Sequence, residues 1–411
     1  MSDSIVPIID VSPLFGKDQD QRVATAQAIG KACREIGFIV IVGHQVEKEI
    51  IDNAWAATRN FFDEKLDYKT QYIKPQDEYP FGYSEVGGEV LSAGKAAEEK
   101  EDGKAIPMAP PDLKEMFSIG PKNPTAGFPE RLFPTRPAQF ADAWTAYYDT
   151  LASLAREILR AFAMALDLDN ELYFDQFIDH HASALRAINY PAVDTSTLLP
   201  GQLRASAHTD YGTMTILKSD GPGLQVSKDV QPPTWYDVPH ISDGFIINLG
   251  DLMRRWTNDR WVSTLHRVVI PTCEVSAQWT AQQQPTPTSA GAGVGAGAGT
   301  AEKEQQQEQQ QGEKALAAAA AASPQVKRTQ RRQSMAFFHN LNKDAEVAVI
   351  LRRRRKRKEA GGGLEEDTTE AALYKPIIAG DFLMQKHLAS MKAAGAGAGA
   401  GTIPDTDTKT Q

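Results

Sequence analysis

Residues 208–217 read HTDYGTMTIL and place a histidine and an aspartate two positions apart, immediately before an apolar run. Side chains at positions i and i+2 of a strand point to the same side, so His208 and Asp210 can reach one metal ion. His266, in a second apolar run at 265–270, can add another imidazole. Taken alone, a His-X-Asp pattern is also typical of a turn carboxylate beside a surface histidine, so the surrounding sequence must decide.

The sequence around this motif predicts several short strands. Residues 211–217 form an apolar, β-branched run, and a turn rich in Ser, Asp, Gly and Pro at 219–223 separates it from a second run at 224–226. This order predicts a β-hairpin. A further apolar strand is predicted at 245–249, and polar turn residues follow it before the strand that carries His266.

Two imidazoles and one carboxylate on one face of an octahedral metal are the ligand set of non-haem Fe(II) sites. The motifs around these residues, in their order along the chain, are similar to those of one family, the Fe(II)/2-oxoglutarate-dependent dioxygenases of the isopenicillin N synthase-like branch. The resemblance extends over most of the chain. It is carried by VPIIDVSPLFG (6–16), GKACREIGFIVIVGHQV (30–46), HTDYGTMTIL (208–217), GLQV (223–226), NLGDLMRRWTNDRWVSTLHRVV (248–269) and RQSMAFF (332–338).

The resemblance implies a mainly β fold with flanking helices: a double-stranded β-helix, or jelly roll, with a helical N-terminal region and a C-terminal helix. It also implies Fe(II) at the open mouth of the barrel, bound by His208, Asp210 and His266, with 2-oxoglutarate as cosubstrate and O2 as oxidant. No catalytic residue beyond the metal ligands is implied. We interpret the other histidines, which lack partners at ligand spacing, as surface or structural residues, with a pocket-lining role open for one of them: His44, His180, His181, His240, His339 and His387.

A second set of residues matches the family's Arg-X-Ser motif. Arg332 and Ser334 open an apolar strand, and the resemblance implies that they bind the distal carboxylate of 2-oxoglutarate together with Tyr190. A guanidinium fork suits this task because it can pair with a carboxylate through two hydrogen bonds. Two alternatives stay open: Arg332, like its neighbour Arg331, could be a solvated cation of the basic stretch 326–332, and Tyr190 could be a half-buried strand aromatic.

The composition is that of a globular protein. With 411 residues, of which 41% are hydrophobic and 24% charged, the chain can bury a large core. No apolar run approaches the roughly twenty residues that cross a membrane. The net charge of −9 argues against generic binding to nucleic acid. The sequence leaves the oligomeric state open, and a monomer is compatible with it.

Cysteine usage bears on the compartment. Two cysteines, Cys33 and Cys273, are too few for a disulfide framework, and we expect no signal segment ahead of the first apolar run. We therefore expect a cytoplasmic protein in a reducing compartment. The basic run 352–358 offers an alternative nuclear address, although a solvated loop explains it as well.

Periodicity and composition divide the chain into segments. Apolar residues at helical spacing predict helices at 23–36, 47–62 and 139–166. An Ala, Gly and Gln-rich stretch cannot bury enough apolar area to order itself. We predict an N-terminal non-haem dioxygenase-type region (1–130), helical support (131–181), a jelly-roll domain (182–350) interrupted by a low-complexity insert (274–330), a basic and acidic loop insert (351–372), a C-terminal helix (373–392) and a disordered tail (393–411).

Three functions are compatible with the sequence. The first is an oxygenase that oxidises a small organic substrate with release of succinate and CO2, the usual outcome being hydroxylation rather than desaturation or ring closure. The second is an oxidase that uses the same iron without 2-oxoglutarate, and the third is an inactive scaffold whose inserts recruit partners. Residues 79–105, which include Phe81 and Tyr83, are predicted to form a lid or pocket rim, but nothing in the sequence selects a substrate.

Overall fold

A computed structural model of the chain describes residues 4–73, 81–88, 110–122, 128–229, 232–270, 328–351, 354–356, 365–367 and 371–387. Contacts between residues divide it into two units. The larger unit comprises residues 1–191, 201–270 and 331–411, and the smaller comprises 192–200 and 271–330. In the part of the smaller unit that the structure describes, Asp194 pairs with Arg328 in an isolated antiparallel bridge.

The helices form where the sequence places apolar residues at helical spacing. Asp18 caps the first helix by accepting hydrogen bonds from the backbone N–H groups of Asp20 and Gln21. Each of the three predicted helices is present, with ends shifted by at most a few residues. The helices are α1 (Gln19–Glu35), α2 (Lys48–Asp63), α3 (Leu66–Lys69), α4 (Phe140–Ala165), α5 (Asp251–Trp256) and a C-terminal helix described over residues 379–387.

Eight strands form the major sheet. Their spatial order is β1-β2-β10-β7-β12-β5-β4-β3, and the pairs are antiparallel except β1 with β2. The N-terminal strands therefore extend the sheet of the jelly roll itself, whereas the N-terminal helices pack outside it. The strands are β1 (Ile8–Asp10), β2 (Phe38–Val42), β3 (Gly82–Ser84), β4 (Glu115–Ile119), β5 (Ala184–Tyr190), β7 (Met214–Ser219), β10 (Phe245–Leu249) and β12 (Arg332–His339).

Four further strands form the minor sheet, in the order β6-β11-β8-β9. Residues of both sheets line one cavity, which gives the two-sheet arrangement of a jelly roll and confirms the predicted fold class. These strands are β6 (Ala205–His208), β8 (Leu224–Ser227), β9 (Trp235–Asp237) and β11 (Leu265–Val268).

The predicted hairpin between residues 211–217 and 224–226 is wrong. Strand β7 pairs with β10 and β12 in the major sheet, whereas β8 pairs with β11 and β9 in the minor sheet. The turn between them carries the chain from one sheet to the other. Pro222 has no N–H to donate to a hairpin ladder, and Gly223 takes a φ of 110°, so this turn redirects the chain instead of reversing it.

The largest hydrophobic core lies between the helices and the outer face of the major sheet. Helix α4 packs against α1, α2 and β12. Its fully buried stripe includes Trp144, Leu151 and Phe162. Because burial of one such side chain contributes about 1.5–3 kcal/mol, this stripe anchors the sheet that carries the site. The helix predicted from the stripe is thus structural support.

The C-terminal part of the larger unit differs in detail from the prediction. Within 351–372, where we predicted a loop, β14 (Arg354–Lys356) and β15 (Glu365–Asp367) pair antiparallel, so backbone groups of these two strands bond to one another. The helix predicted from 373 begins at 379. Residue 376 is proline, which disfavours helical backbone before it, and β16 (Ile377–Ile378) pairs with β13 (Glu346–Val347).

Several predictions fall on other parts of the chain. Most of the low-complexity insert, most of the basic run 352–358, the end of the predicted C-terminal helix and the predicted tail lie outside the described residues. The division into segments and the compartment stay predictions. Among the described residues, no helix has the length and apolar character needed to span a membrane.

Candidate metal centre and cosubstrate pocket

Three potential metal ligands converge at one end of the cavity. His208 ends β6, His266 lies directly opposite it on β11, and Asp210 follows two residues after His208. One ligand atom from each residue lies within 4.8 Å of the other two. The Nε2 atoms of His208 and His266 are 3.8 and 3.7 Å from the same Oδ1 of Asp210. Three donors thus converge on one point.

Hydrogen bonds from Nδ1 fix the tautomer of the two imidazoles. Nδ1 of His208 lies 2.8 Å from the carbonyl oxygen of Ser206, and Nδ1 of His266 lies 3.0 Å from that of Thr264. A carbonyl can only accept, so each Nδ1 carries a proton, and in the neutral ring Nε2 then keeps the free lone pair. This is the tautomer that a histidine needs to bind a metal through Nε2.

Two neighbours orient the carboxylate of Asp210. Its Oδ2 accepts hydrogen bonds from the hydroxyl of Thr215 at 2.5 Å and the amide of Asn248 at 2.7 Å. The other oxygen, Oδ1, is therefore turned toward the histidines. Sequence reasoning gave Thr215 and Asn248 no role, although both lie in the quoted motifs, because the pairing of β7 with β10 that brings them together is not visible in the sequence.

The loop that carries Asp210 is held by its backbone. The N–H groups of Asp251 and Leu252, at the start of α5, donate to the carbonyl oxygens of Asp210 and Tyr211. This attachment requires glycine at position 250, because a Cβ there would come within 2.3 Å of the backbone oxygen of residue 212. The glycine of the NLGD motif thus lets the backbone at residue 250 lie close to that of residue 212, and this contact fixes the loop that carries Asp210.

Burial prepares the site for a cation. Desolvation, assisted by the neighbouring His266, lowers the pKa of His208 to about 3, so its imidazole is neutral near neutral pH. Burial alone would raise the pKa of Asp210, but the nearby His266 and His208 and the hydrogen bonds it accepts outweigh this and lower that pKa. A neutral imidazole at His208 and an anionic carboxylate at Asp210 are the protonation states that metal binding requires.

Arg332 lies at the other end of the cavity. It is 3% exposed, and its Nε donates to the carbonyl oxygens of Gly221 and Pro222 at 3.1 and 2.9 Å. Its Nη1 is buried and has no hydrogen-bond partner among the described residues. A buried guanidinium N–H without a partner costs stability, and a bound carboxylate would supply the missing acceptor. The solvated-linker alternative for Arg332 is wrong.

The remaining residues of this pocket follow from strand pairing. Tyr190 stands directly opposite Arg332, whose guanidinium carbon lies 5.2 Å from the centre of its ring. Ser334 lines the cavity with Arg332, as the alternation of the strand predicts. Arg331 points elsewhere, since its Nε donates to Asn189 at 2.6 Å and its Nη1 pairs with Asp63. The structure therefore separates the two neighbouring arginines.

Other residues reach the cavity without having been predicted there. His387 and Leu383, from the C-terminal helix, line it, so the pocket-lining role that the sequence left open for one histidine applies to His387. Of the predicted lid, Phe81 lines the cavity, whereas Tyr83 is buried against Glu115, and most of the range 79–105 lies outside the described residues. The resemblance implies a C-terminal helix that closes over the barrel, but the sequence alone does not show which side chains of that helix enter the cavity.

Comparison with protein families gives two matches. Residues 6–144 match the family described as non-haem dioxygenase in morphine synthesis N-terminal, and residues 181–282 match the 2OG-Fe(II) oxygenase superfamily. A 2-oxoglutarate-Fe(II) type oxidoreductase, hxnY of Emericella nidulans, is 30% identical over 66% of this chain and 76% of its own length. The proline hydroxylase buaE of Petromyces alliaceus is 32% identical over 64% of this chain and 80% of its own length.

Solved structures agree with these matches. A full-length Neurospora crassa protein, solved in complex with alpha-KG and thymine, superimposes with a TM-score of 0.66 at 25% identity, over 95% of this chain and 98% of that one. The fold and donor set define the jelly-roll class of non-haem iron oxygenases. This chain belongs to the 2OG-Fe(II) oxygenase superfamily and is an Fe(II)- and 2-oxoglutarate-dependent dioxygenase that uses O2. The assignment from motifs is confirmed.

The residues present suit these cofactors. The two free Nε2 atoms and Oδ1 of Asp210 make the two-histidine, one-carboxylate donor set that non-haem Fe(II) sites use. The partnerless Nη1 of Arg332 suits the distal carboxylate of 2-oxoglutarate. The donor set is thus suited to Fe(II), and the guanidinium is suited to 2-oxoglutarate.

Proposed function

We propose that His208, Asp210 and His266 hold Fe(II), that Arg332, Ser334 and Tyr190 hold the distal carboxylate of 2-oxoglutarate, and that the enzyme hydroxylates a small organic substrate. The observation that carries this proposal is that one cavity contains both the three converging ligand atoms and the buried, partnerless Nη1 of Arg332. The metal ligands lie at one end of the cavity and the anion-binding group at the other. This arrangement suits a cosubstrate that chelates the metal through one end and carries a carboxylate at the other.

Each residue has a physical task. The Nδ1 hydrogen bonds hold both imidazoles in the ligating tautomer, and Thr215 and Asn248 hold the carboxylate of Asp210 so that Oδ1 faces them. Arg332 supplies a permanent charge and Ser334 a hydroxyl. When bound, Fe(II) couples oxidative decarboxylation of 2-oxoglutarate to oxidation of the substrate, and three protein ligands leave room for exogenous ones.

The walls of the cavity keep water away from the reacting groups. Ala205, Leu217, Leu224 and Val268 line it near the ligands and place apolar surface around the reacting groups. Apolar walls exclude water and so limit side reactions of a reactive site. The ligands of the similar Neurospora crassa structure, alpha-KG and thymine, support a cavity that takes a cosubstrate and one small molecule together.

The direct test is anaerobic titration of the Fe(II)-loaded protein with 2-oxoglutarate, following the visible metal-to-ligand charge-transfer band. We expect the band in the wild type and its loss in Arg332→Ala at the same 2-oxoglutarate concentration. Iron binding without any band would favour an oxidase that does not use 2-oxoglutarate. Failure to bind iron would favour the inactive scaffold.

A further inference from the structure

One asparagine lines the cavity on the far side of the metal ligands from Arg332. Along β12, alternate residues from Arg332 to Phe338 face the cavity, and Asn340, the first residue after the strand, continues this row. Phe338 is paired with Thr215, which holds the carboxylate of Asp210. Because Asn340 comes two positions later, it faces the region that 2-oxoglutarate leaves to a substrate.

Hydrogen bonds hold both the backbone and the amide of Asn340 in place. Its backbone N–H donates to the hydroxyl of Ser183 at 3.0 Å, and the same hydroxyl donates to its carbonyl oxygen at 3.4 Å. Its Nδ2 donates to the carbonyl oxygen of Ala182 at 3.2 Å. A carbonyl can only accept, so this contact fixes which amide atom is the nitrogen and turns Oδ1 away from Ala182.

The Oδ1 atom lies against the backbone of the loop that carries Asp210. A Cβ on Gly212 would come within 2.3 Å of this oxygen, so glycine at position 212 leaves the space that the amide occupies. Among the described residues, no group donates a hydrogen bond to Oδ1. Both Asn340 and Gly212 line the cavity, so Oδ1 is an acceptor that a bound molecule can reach.

Apolar side chains border this acceptor. Phe338 precedes it in the row along β12, and Ala182 packs in one hydrophobic cluster with Phe81, which also lines the cavity. An apolar wall favours a hydrocarbon body, because contact with it removes apolar surface from water. An amide oxygen beside such a wall favours a donor, because an acceptor that loses water without gaining a donor costs free energy.

We propose that Asn340 is a specificity-determining residue and that the substrate carries an N–H or O–H group that donates a hydrogen bond to its Oδ1. The apolar body of the substrate packs on Phe338 and Phe81. This inference rests on the proposed function, because it assumes that Fe(II) and 2-oxoglutarate occupy the metal ligands and the Arg332 end of the cavity.

The test compares molecules of nearly equal size that differ in the donor, on the anaerobic enzyme loaded with Fe(II) and 2-oxoglutarate. The probes are indole with benzofuran for an N–H donor and phenol with toluene for an O–H donor, and ligand-observed NMR measures their dissociation constants. The measured quantity is the ratio of the two constants within each pair. The pair that responds to a change at Asn340 identifies the kind of donor.

Removal of the acceptor should remove the preference for the donor. For at least one pair, we expect the ratio to favour the donor at least about fivefold more in the wild type than in Asn340→Leu, which keeps the size of the side chain without its acceptor. Asn340→Asp keeps an oxygen at this position and should keep the preference. Asn170→Leu, at an exposed asparagine outside the cavity, is the matched control and should leave both ratios unchanged.

The charge-transfer band separates this inference from the proposal on which it rests. We expect both Asn340 variants to form the 2-oxoglutarate band with wild-type affinity. Equal ratios in the wild type and Asn340→Leu for both pairs, no binding of any probe, loss of the preference in Asn340→Asp, or loss of the band in both variants would each overturn the inference. Absence of the band in the wild type would overturn the proposed function itself.

Discussion

Arg332 and Tyr190 occupy directly paired positions on β12 and β5, and the guanidinium carbon of Arg332 lies 5.2 Å from the centre of the tyrosine ring. The ring covers one side of the cation, while two carbonyl oxygens of the turn before β8 accept from its Nε. A guanidinium held in this way has little freedom to leave the cavity, and its Nη1 stays available to a ligand. Under the proposed function, this pair prepares the carboxylate site before the cosubstrate arrives.

Removal of this cation should weaken the cosubstrate and leave the metal in place. We expect Arg332→Ala to raise the dissociation constant for 2-oxoglutarate roughly 10- to 100-fold, because a hydrogen bond to a charged group contributes about 1.5–3 kcal/mol. Anaerobic titration of the charge-transfer band measures this constant. Arg331→Ala is the matched control and should leave it unchanged, since Arg331 contacts Asn189 and Asp63. The reverse result would show that the strand has been assigned the wrong register.

Loss of a metal ligand should abolish iron binding. We expect His208→Ala and Asp210→Ala to retain no Fe(II) after anaerobic desalting and to form no succinate, because each removes one of three donors. Metal analysis of the desalted protein measures the retained iron. His180→Ala is the control, since His180 is partly exposed and pairs with Asp179 and Asp344. Stoichiometric iron in Asp210→Ala would exclude this residue as a ligand.

Loss of a group that orients Asp210 should weaken Fe(II) binding measurably, but less than loss of a metal ligand. We expect Asn248→Leu and Thr215→Val each to weaken Fe(II) binding about 10- to 100-fold, the usual effect of losing an outer-shell hydrogen bond. Competition with a chelator of known affinity measures the change. Thr150→Val, on the exposed surface of α4, is the control for a threonine hydroxyl. Unchanged affinity in both variants would show that Asp210 keeps its orientation without them.

His181 should make stability depend on pH. Burial, with the charges of Arg156 and Arg131, lowers its pKa to about 4, and its ring stacks on Tyr148 at 6.0 Å. The unfolded chain takes up a proton near pH 6.5, whereas the folded chain does not until about pH 4. The contribution of this neutral imidazole is therefore complete above pH 6.5 and is lost as the pH falls toward 4.

Urea unfolding of the wild type and of His181→Phe measures that contribution. Between pH 7 and pH 5 we expect the wild type to lose roughly 2 kcal/mol more unfolding free energy than the variant, because one pKa unit corresponds to about 1.4 kcal/mol. Phenylalanine preserves an aromatic ring beside Tyr148 without a titrating nitrogen. Parallel pH profiles for the two proteins would show that His181 titrates normally in the folded state.

Deletion of residues 276–326 should preserve folding and the metal site. The prediction rests on chain statistics, because each doubling of a flexible loop costs only about 0.6 kcal/mol in closure entropy. Soluble yield, iron content and the charge-transfer band together measure the outcome. Collapse of soluble expression would show that this stretch has a structural role.

The sequence by itself determined the metal-ligand candidates, the cosubstrate motif, the main helices and the fold class. Arg332 and Ser334 are two positions apart on β12, so strand alternation alone places them on one side. His208 and Asp210 are two positions apart along the chain, so their side chains can reach one metal ion. Helix α4 was equally predictable, since its apolar stripe repeats at helical spacing. Each of these features depends on residues that are close together along the chain, so the order of the residues is enough to predict it.

Only the tertiary structure decided which strands are neighbours and what faces the cavity. The pairing of β6 with β11 sets His266 opposite His208, and that of β7 with β10 brings Thr215 and Asn248 to Asp210. The tertiary structure also places β8 in the other sheet, and it directs Arg332 into the cavity but Arg331 away from it. The physical reason is that these contacts join residues far apart in sequence, where strand pairing and side-chain packing across the whole domain, not local pattern, select the partner.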